Sequence, residues 1–359
     1  MKILIDIGHP AHVHVFKNAI YSLQKKGHEI TIVTKDKEVT IDLLKKFGFD
    51  FINLGKPGKG LFGKAHSLLY FDYRLYQIAN KVKPDLLLGM GSPYLGHVSK
   101  LIGKPYISFW DTENARLLIW LTYSFTDTIC TPSCFLNNLG KKQVKYLGYK
   151  ELAYLHPHQF TPDPSVLDEL GLRDGERFII VRFISWAASH DVGLKGIRNP
   201  LHLVKELEKY GRVFISSEKI IDEKLEGNRL HLAPEKFHSL LAFSHLYIGE
   251  GGTIAAEAAV IGTPAIHIES DSQGIATGYS SGNFRELNDK YGLMFFYPDE
   301  NAALNKAVEI LSDPNSKLEW QKKRARLLQE KVDVTKWMVD FIERYPDSFY
   351  QYKNENQEL

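Results

Sequence analysis

The sequence predicts an α/β protein built as two Rossmann-like halves, each a parallel sheet flanked by helices. Three observations carry this expectation. Short apolar runs alternate with segments of helical period over the first 150 or so residues, and a second such series opens at Phe178. Between the two series, His156-Pro-His-Gln-Phe-Thr-Pro-Asp-Pro164 concentrates prolines as interdomain connections do. A length of 359 residues exceeds one ordinary core and suits two of roughly 150 residues each. The expected divisions are 1–155, 165–330 and a C-terminal segment 331–359.

Residues 2–7 read as a buried first strand and Gly8-His-Pro-Ala-His-Val-His14 as the loop leaving it. From Val15 to Lys26, Phe16, Ala19, Ile20 and Leu23 recur at helical spacing, and Gly27-His28 ends that helix before the strand Glu29–Thr34. Such a strand-helix-strand unit implies parallel pairing, with ligands at the carboxyl ends of the strands. A helix Val39–Phe47, strand Phe51–Leu54, helix Ser67–Val82 and strand Asp85–Leu88 continue the alternation. Gly89-Met-Gly-Ser-Pro93 turns into another helix, and Tyr106–Trp110 is the next strand. Beyond the linker come strand Phe178–Arg182, helix Leu201–Tyr210, strands Val213–Ser216 and Leu230–Leu232, helix Phe237–Phe243 and strand Leu246–Ile248. Helices over Asp299–Leu311 and Asn315–Val332 precede Val334–Arg344, amphipathic through Trp337, Met338, Phe341 and Ile342. From Tyr350 the chain is polar and is expected to fray.

Composition narrows the function classes. With 44% hydrophobic residues and a formal charge of +2, the chain suits a soluble globular protein and shows no global basicity that would argue for nucleic acid. Cys130 and Cys134 are the only cysteines, so neither a disulfide framework nor a zinc site is indicated, and a reducing compartment fits. No apolar run reaches the eighteen or so residues that cross a bilayer. Met1-Lys-Ile-Leu-Ile-Asp-Ile enters a strand directly, without a signal-peptide pattern, which makes the cytoplasm the expected location.

The stretch Leu246 to Ile268 carries the strongest functional pattern. An apolar run ends at Gly249, a turn of Glu250, Gly251, Gly252 and Thr253 follows, a small-residue helix holds Glu257, and Gly262-Thr263-Pro264 leads into a second apolar run. Free N–H groups and the positive end of the helix dipole converge at the turn, which suits an anion such as a nucleotide diphosphate. Glu257 lies one helical turn past Thr253 on the same face, within reach of hydroxyls on a ligand held there. The bland alternative is that the glycines only let a helix pack close to a sheet.

This stretch resembles the donor-binding segment of the GT-B superfamily, in both the undecaprenyl N-acetylglucosaminyltransferases of peptidoglycan synthesis (MurG-like) and the non-hydrolysing UDP-N-acetylglucosamine 2-epimerases. In both, a glycine turn precedes a helix whose Glu binds the nucleotide ribose, and Gly-x-Pro follows; Glu257 and Gly262-Thr263-Pro264 stand at that spacing. Over most of the chain the pattern is similar to the DUF354 proteins, an uncharacterised set within the superfamily. The resemblance implies a GT-B fold, two Rossmann-like domains facing each other across a cleft. The acceptor would bind to 1–155 and the nucleotide-sugar donor to 165–330, with the final helix crossing back onto the first domain.

On that plan Arg182-Phe-Ile-Ser-Trp-Ala-Ala-Ser-His-Asp191 is a phosphate-contacting loop, where Arg182 offers a planar fork of donors and Ser185 a hydroxyl. Ser216-Ser217-Glu218 ends the next strand in the same cleft, Leu232–His238 precedes the turn as base-binding segments do, and Ser272–Asn283 is a polar loop available to the donor sugar. Donor contacts are thus expected from Arg182, Ser185, Ser217, Glu250, Gly251, Gly252, Thr253 and Glu257. Trp186 either stacks on a flat ring or packs in the core.

For the chemistry, His9, His12 and His14 invite a metal reading, but they lack the helix-borne pair and acidic neighbour of metal sites, and no metal or cofactor is assigned. They can instead cap the following helix. In the MurG-like enzymes a His stands fifteen residues ahead of the Gly that ends the helix, as His12 stands before Gly27, although the Gly-rich run of that family is replaced by Gly8-His9-Pro10-Ala11. His12 is therefore the leading general base, with His14 and His9 in reserve. Asp111 and Glu113, past the strand ending at Trp110, can orient a base, bind acceptor hydroxyls, act as base themselves, or, for Asp111 or Thr112, merely cap the helix from Arg116.

The resulting expectation is a metal-independent glycosyltransferase using a nucleotide sugar, UDP-linked, in cell-envelope or surface polysaccharide or glycolipid assembly. Its acceptor would be a glycan or lipid-linked. The loop Gly55–His66, with Lys56, Lys59, Lys64, Leu61 and Phe62, is read as a weak peripheral membrane contact at the inner face, or as a solvated loop. The 2-epimerase is the alternative. Its Asp in the fourth-strand loop is replaced by Ser92, its phosphate-loop His has only His190 as a counterpart, and Asp111 stands near its strand-end Glu. A non-catalytic nucleotide-sugar binder is the third reading.

Overall fold

The computed structural model describes residues 1–36, 39–58, 60–173, 175–186 and 193–355, with the side chains of 61, 62, 64, 65, 116, 117 and 355 outside that description. The chain divides into two compact units, one formed by Met1–Tyr154 with Val332–Leu359 and the other by Leu155–Lys331.

The first unit holds β1 (Lys2–Ile7), β2 (Glu29–Thr34), β3 (Phe51–Asn53), β4 (Leu86–Gly89), β5 (Tyr106–Phe109), β6 (Thr128–Pro132) and β7 (Gln143–Tyr146). They form one parallel sheet in the order β3-β2-β1-β4-β5-β6-β7. The second holds β8 (Phe178–Phe183), β9 (Arg212–Ser217), β10 (Leu246–Gly249), β11 (Ala265–Ile268) and β12 (Met294–Tyr297), parallel in the order β12-β11-β10-β8-β9. Helices on both faces explain why the central strands read as continuous apolar runs: Ile3, Leu4, Ile5 and Ile7 of β1, and all four residues of β10, are buried. Strand order reverses between β1 and β4 in one unit and between β8 and β10 in the other. At such a reversal the loops leaving the two strands run to opposite faces of the sheet, and ligands bind in the crevice between them.

Several expectations are corrected. The first helix is Pro10–Lys25, so His12 and His14 lie on its opening turns rather than in a loop. His9 is its N-cap, its Nδ1 accepting from Ala11 N–H at 3.1 Å, and Pro10 at the first position is pre-set for helix. A helix runs over Gly60–Val82, taking in much of the presumed loop Gly55–His66. Lys56 pairs with Asp36 at 3.5 Å, while Lys59 and the side chains of Leu61, Phe62 and Lys64 lie outside the described residues. Leu230–Leu232 is no strand: Leu230 N–H donates to Ile215 O at 2.8 Å beside an isolated bridge to Arg229. β6 and β7 extend the first sheet without having been assigned.

The C-terminal segment belongs to the first unit. Helix Val334–Glu343 packs on Pro10–Lys25, Thr335 Oγ1 donates to Ala153 O at 2.6 Å, and Trp337 stands 4.9 Å from the Tyr146 ring. The tail does not fray at Tyr350: Asp347–Glu355 is a helix, held by Ser348 Oγ donating to Phe341 O at 2.7 Å and by Tyr352 beside Trp337. Among the described residues no helix is long and apolar enough to cross a membrane.

Candidate functional site

In the second unit the turn after β10 forms as the sequence pattern requires. Gly251 caps the helix Gly252–Ile261 with φ 86°, a left-handed value that an L side chain would strain. No side chain caps this helix, so the first-turn N–H groups remain directed out of the turn, at the positive end of the dipole. Ala255, Ala256, Ala258 and Ala259 are all buried; their small size lets the helix lie close against the sheet on one side and helix Ser316–Glu330 on the other.

Glu257 is 5% exposed, and its Oε1 stands 3.2 Å from Nε2 of His238, itself 7% exposed. A carboxylate taken this far out of water needs a partner, and His238 supplies one from the first turn of helix Phe237–Phe243. His238 was expected only within a base-binding segment, and nothing local in the sequence points to its pairing with Glu257.

Glu250 departs from expectation. Its side chain is fully buried and turned into the unit, with Oε2 accepting from Ile184 N–H and Oε1 from Ile197 N–H, both at 2.9 Å. Lys219 Nζ lies 3.6 Å away. The carboxylate thus ties both sides of the loop after β8 to the glycine turn instead of facing a ligand. Burial pushes its pKa above the usual carboxylate range, against the lowering effect of those hydrogen bonds and of Lys219. Gly196 makes the fit possible, since a Cβ there would sit 2.2 Å from Glu250 Oε1.

The other donor-side candidates cluster around a residue not assigned to the site, Glu218. Arg182 donates Nη1 to Ser216 Oγ at 2.6 Å and pairs through Nη2 with Glu218; Ser185 N–H and Oγ both donate to Glu218 Oε2 at 3.3 Å. The Arg182 fork is therefore occupied within its own unit, and a diphosphate would have to compete with Glu218 for it. Ser217 is used locally, its Oγ donating to Lys219 O at 2.8 Å. His190 falls outside the described residues. The loop Ser272–Asn283 is anchored at the end of β11 by Thr277 Oγ1 donating to Glu269.

In the first unit the proposed bases are engaged. Gly8 N–H donates to His12 Nδ1 at 3.3 Å. With Nδ1 accepting, neutral imidazole carries its proton on Nε2, so the ring must release Gly8 before it can act as a base there. His14 packs against Tyr154, ring centroids 5.4 Å apart. Asp111 forms an ion pair with Lys150, and Glu113 accepts from Leu136 N–H at 3.3 Å. The capping alternative for Asp111 and Thr112 fails, because Ala115 is the N-cap and has no side-chain bond. Ser92, by contrast, is a helix N-cap, accepting from Leu95 N–H at 3.3 Å.

Solved structures share this architecture end to end. A putative UDP-N-acetylglucosamine 2-epimerase from Listeria monocytogenes has a TM-score of 0.67 at 14% identity, covering 98% of this chain and 96% of its own. The UDP-GlcNAc 2-epimerase from Neisseria meningitidis bound to UDP-GlcNAc scores 0.65 at 14% identity, covering 96% and 100%. A Streptomyces sp. glycosyltransferase complexed with thymidine diphosphate scores 0.61 at 15% identity, covering 96% and 99%. These likenesses show the fold, the two-sheet α/β arrangement of GT-B glycosyltransferases and UDP-GlcNAc 2-epimerases. An uncharacterised protein of Methanocaldococcus jannaschii is 26% identical over 282 residues, 74% of this chain and 81% of its own length. Residues 1–345 match the family described as "Protein of unknown function (DUF354)", and the chain belongs to that family.

Proposed function

We propose that this protein is a glycosyltransferase that takes its sugar from a nucleoside diphosphate, UDP-linked, and delivers it to a glycan or lipid-linked acceptor in envelope polysaccharide or glycolipid assembly. One observation carries the reading: Glu257, buried and paired with His238, one turn into an uncapped helix that starts at the strand-order reversal of the second sheet. A carboxylate there suits the ribose hydroxyls, and the free amides of the helix start suit the diphosphate. In the reaction an acceptor oxygen bonds to the anomeric carbon, its proton passes to a base, and the bond from that carbon to the diphosphate breaks. The leaving charge develops against main-chain N–H groups, with no metal assigned to the step. His12 is the base of this proposal, once released from Gly8.

The epimerase remains the second reading, favoured by the two epimerase structures with TM-scores of 0.67 and 0.65. Against it, the position where the acid was sought is Ser92, committed to capping a helix. Incubation with UDP-N-acetylglucosamine separates the readings. The transferase releases UDP only when acceptor is added, the epimerase forms an epimer without acceptor, and a binder does neither.

A peripheral contact with an anionic membrane is part of the proposal, moved from the Lys56–Lys64 loop to the helices beyond it. Helices Gly60–Val82, Pro93–Ile102 and Arg116–Tyr123 pack side by side and expose Leu69 (72%), Tyr73 (60%) and Trp120 (73%). Their described charges are Arg74, Lys81, Lys100, which pairs with Asp127 at 2.6 Å, and a single acid, Asp72, which His97 holds at 2.8 Å. Apolar side chains among cations suit an anionic leaflet. The protein is expected to float with vesicles of phosphatidylcholine and phosphatidylglycerol, and the double variant Leu69→Glu, Trp120→Glu to stay behind; equal flotation of the two removes this contact.

A further inference from the structure

We propose that the second unit carries a separate site for a small organic oxyanion, a carboxylate or phosphate on an apolar body, at the opposite end of the sheet from the glycine turn. The site is a cavity of about 410 Å³ beside the amino ends of β10 and β11, lined by His245, Lys317, Gln321 and Arg324 together with Phe160 and Ile261. It depends on no part of the nucleotide reading.

The polar groups lining it are cationic or uncharged, and its cations have no carboxylate partner among the described residues. Arg324 donates Nε to Val260 O at 3.1 Å and forms no ion pair among the described residues, although burial draws its pKa down. The Lys317 and Gln321 side chains make no hydrogen bond or ion pair among the described residues. His245 Nδ1 is buried without a partner, and its pKa is pushed down to about 4, first by burial and then by Lys317 and Arg177. No Asp or Glu lines the cavity. A half-buried guanidinium without a counter-charge is an arrangement that proteins ordinarily neutralise, and the exposed Lys317 at the same cavity adds to the positive charge. An anion with an apolar body would satisfy both the cations and the walls.

Two helix carboxyl ends open here, and their partial negative charge disfavours anions. Several of those carbonyls already accept hydrogen bonds. Leu241 O accepts from Ser244 Oγ at 2.8 Å and from Thr263 Oγ1 at 2.7 Å, and Ala258 O accepts from Gly262 and Thr263 N–H at 3.0 and 2.9 Å. Val260 O takes one N–H of Arg324. Positive charge remains in surplus after these bonds.

Calorimetric titration with phenyl phosphate and with benzoate, using benzylamine as the cationic control, tests the site. Wild type should bind one or both anions saturably and not the amine. Arg324→Gln and Lys317→Gln should each weaken binding tenfold or more. Lys317 is exposed, so its variant guards against a folding artefact, and thermal melts confirm that both variants fold. Glu257→Ala should leave anion binding intact, which separates this cavity from the glycine turn. Absence of saturable binding, equal affinity in the folded variants, or loss of binding in Glu257→Ala overturns the proposal; a crystal soak showing phenyl phosphate in the cavity supports it.

Discussion

Glu257→Ala is expected to reduce affinity for UDP by roughly two to four orders of magnitude while the second unit stays folded. Two hydrogen bonds from ribose hydroxyls to a charged acceptor are worth about 1.5–3 kcal/mol each, and each 1.4 kcal/mol is a factor of about ten in binding. His238 extends the test. His238→Ala strips a buried carboxylate of a partner 3.2 Å away and should cost stability as well as affinity, by about 3–5 kcal/mol in total. His238→Gln keeps an N–H donor and should restore much of both. The ligand comparison isolates the ribose: wild type should prefer UDP to its 2′-deoxy counterpart, and Glu257→Ala should not. Calorimetry on the wild type and the three variants reads all of this, and unchanged UDP affinity in Glu257→Ala would end the nucleotide reading.

Glu250→Ala is the second large effect, and it acts on stability. The substitution leaves the N–H groups of Ile184 and Ile197 without the charged acceptor each now meets at 2.9 Å, which costs about 3–6 kcal/mol of unfolding free energy. Urea denaturation checks it, and a loss within about 1 kcal/mol of zero would show that the brace is dispensable. The pH dependence has a definite sign. Because burial raises the Glu250 pKa above its ordinary value of 4.5, the folded chain holds this proton more tightly than the unfolded chain. Its contribution to stability therefore falls as pH rises from about 4.5 through the raised value. Glu250→Gln, which does not titrate and keeps one acceptor, should flatten that slope while losing less than the Ala variant.

Much of this molecule was legible in its residues. Continuous apolar runs such as Ile3-Leu4-Ile5 signal strands buried on both faces, because each residue reports its own surroundings. The Gly251-Gly252 turn and the helix carrying Glu257 are likewise local, set by φ preference and by helix start chemistry within a few residues. Where local reading failed, some misses were boundaries, as when Pro10 and His9 started a helix in a stretch read as loop, and others were whole elements: β6, β7 and the helix Asp347–Glu355 went unassigned, and Leu230–Leu232 is no strand.

Which charged groups meet was settled by folding. Arg182 finds Glu218, Asp111 finds Lys150, and Glu257 finds His238, from different strands, loops and helices. Glu250, placed by its sequence position at the mouth of the turn, is instead drawn inside by two distant backbone amides and the room left at Gly196. Period and composition carry no information about strand order or register, and those two quantities decide which side chains share a crevice. The chain thus writes its own secondary structure and the place of its turn, while the state of each candidate group, paired, buried or available, depends on partners that only the closed sheet brings within about 3 Å.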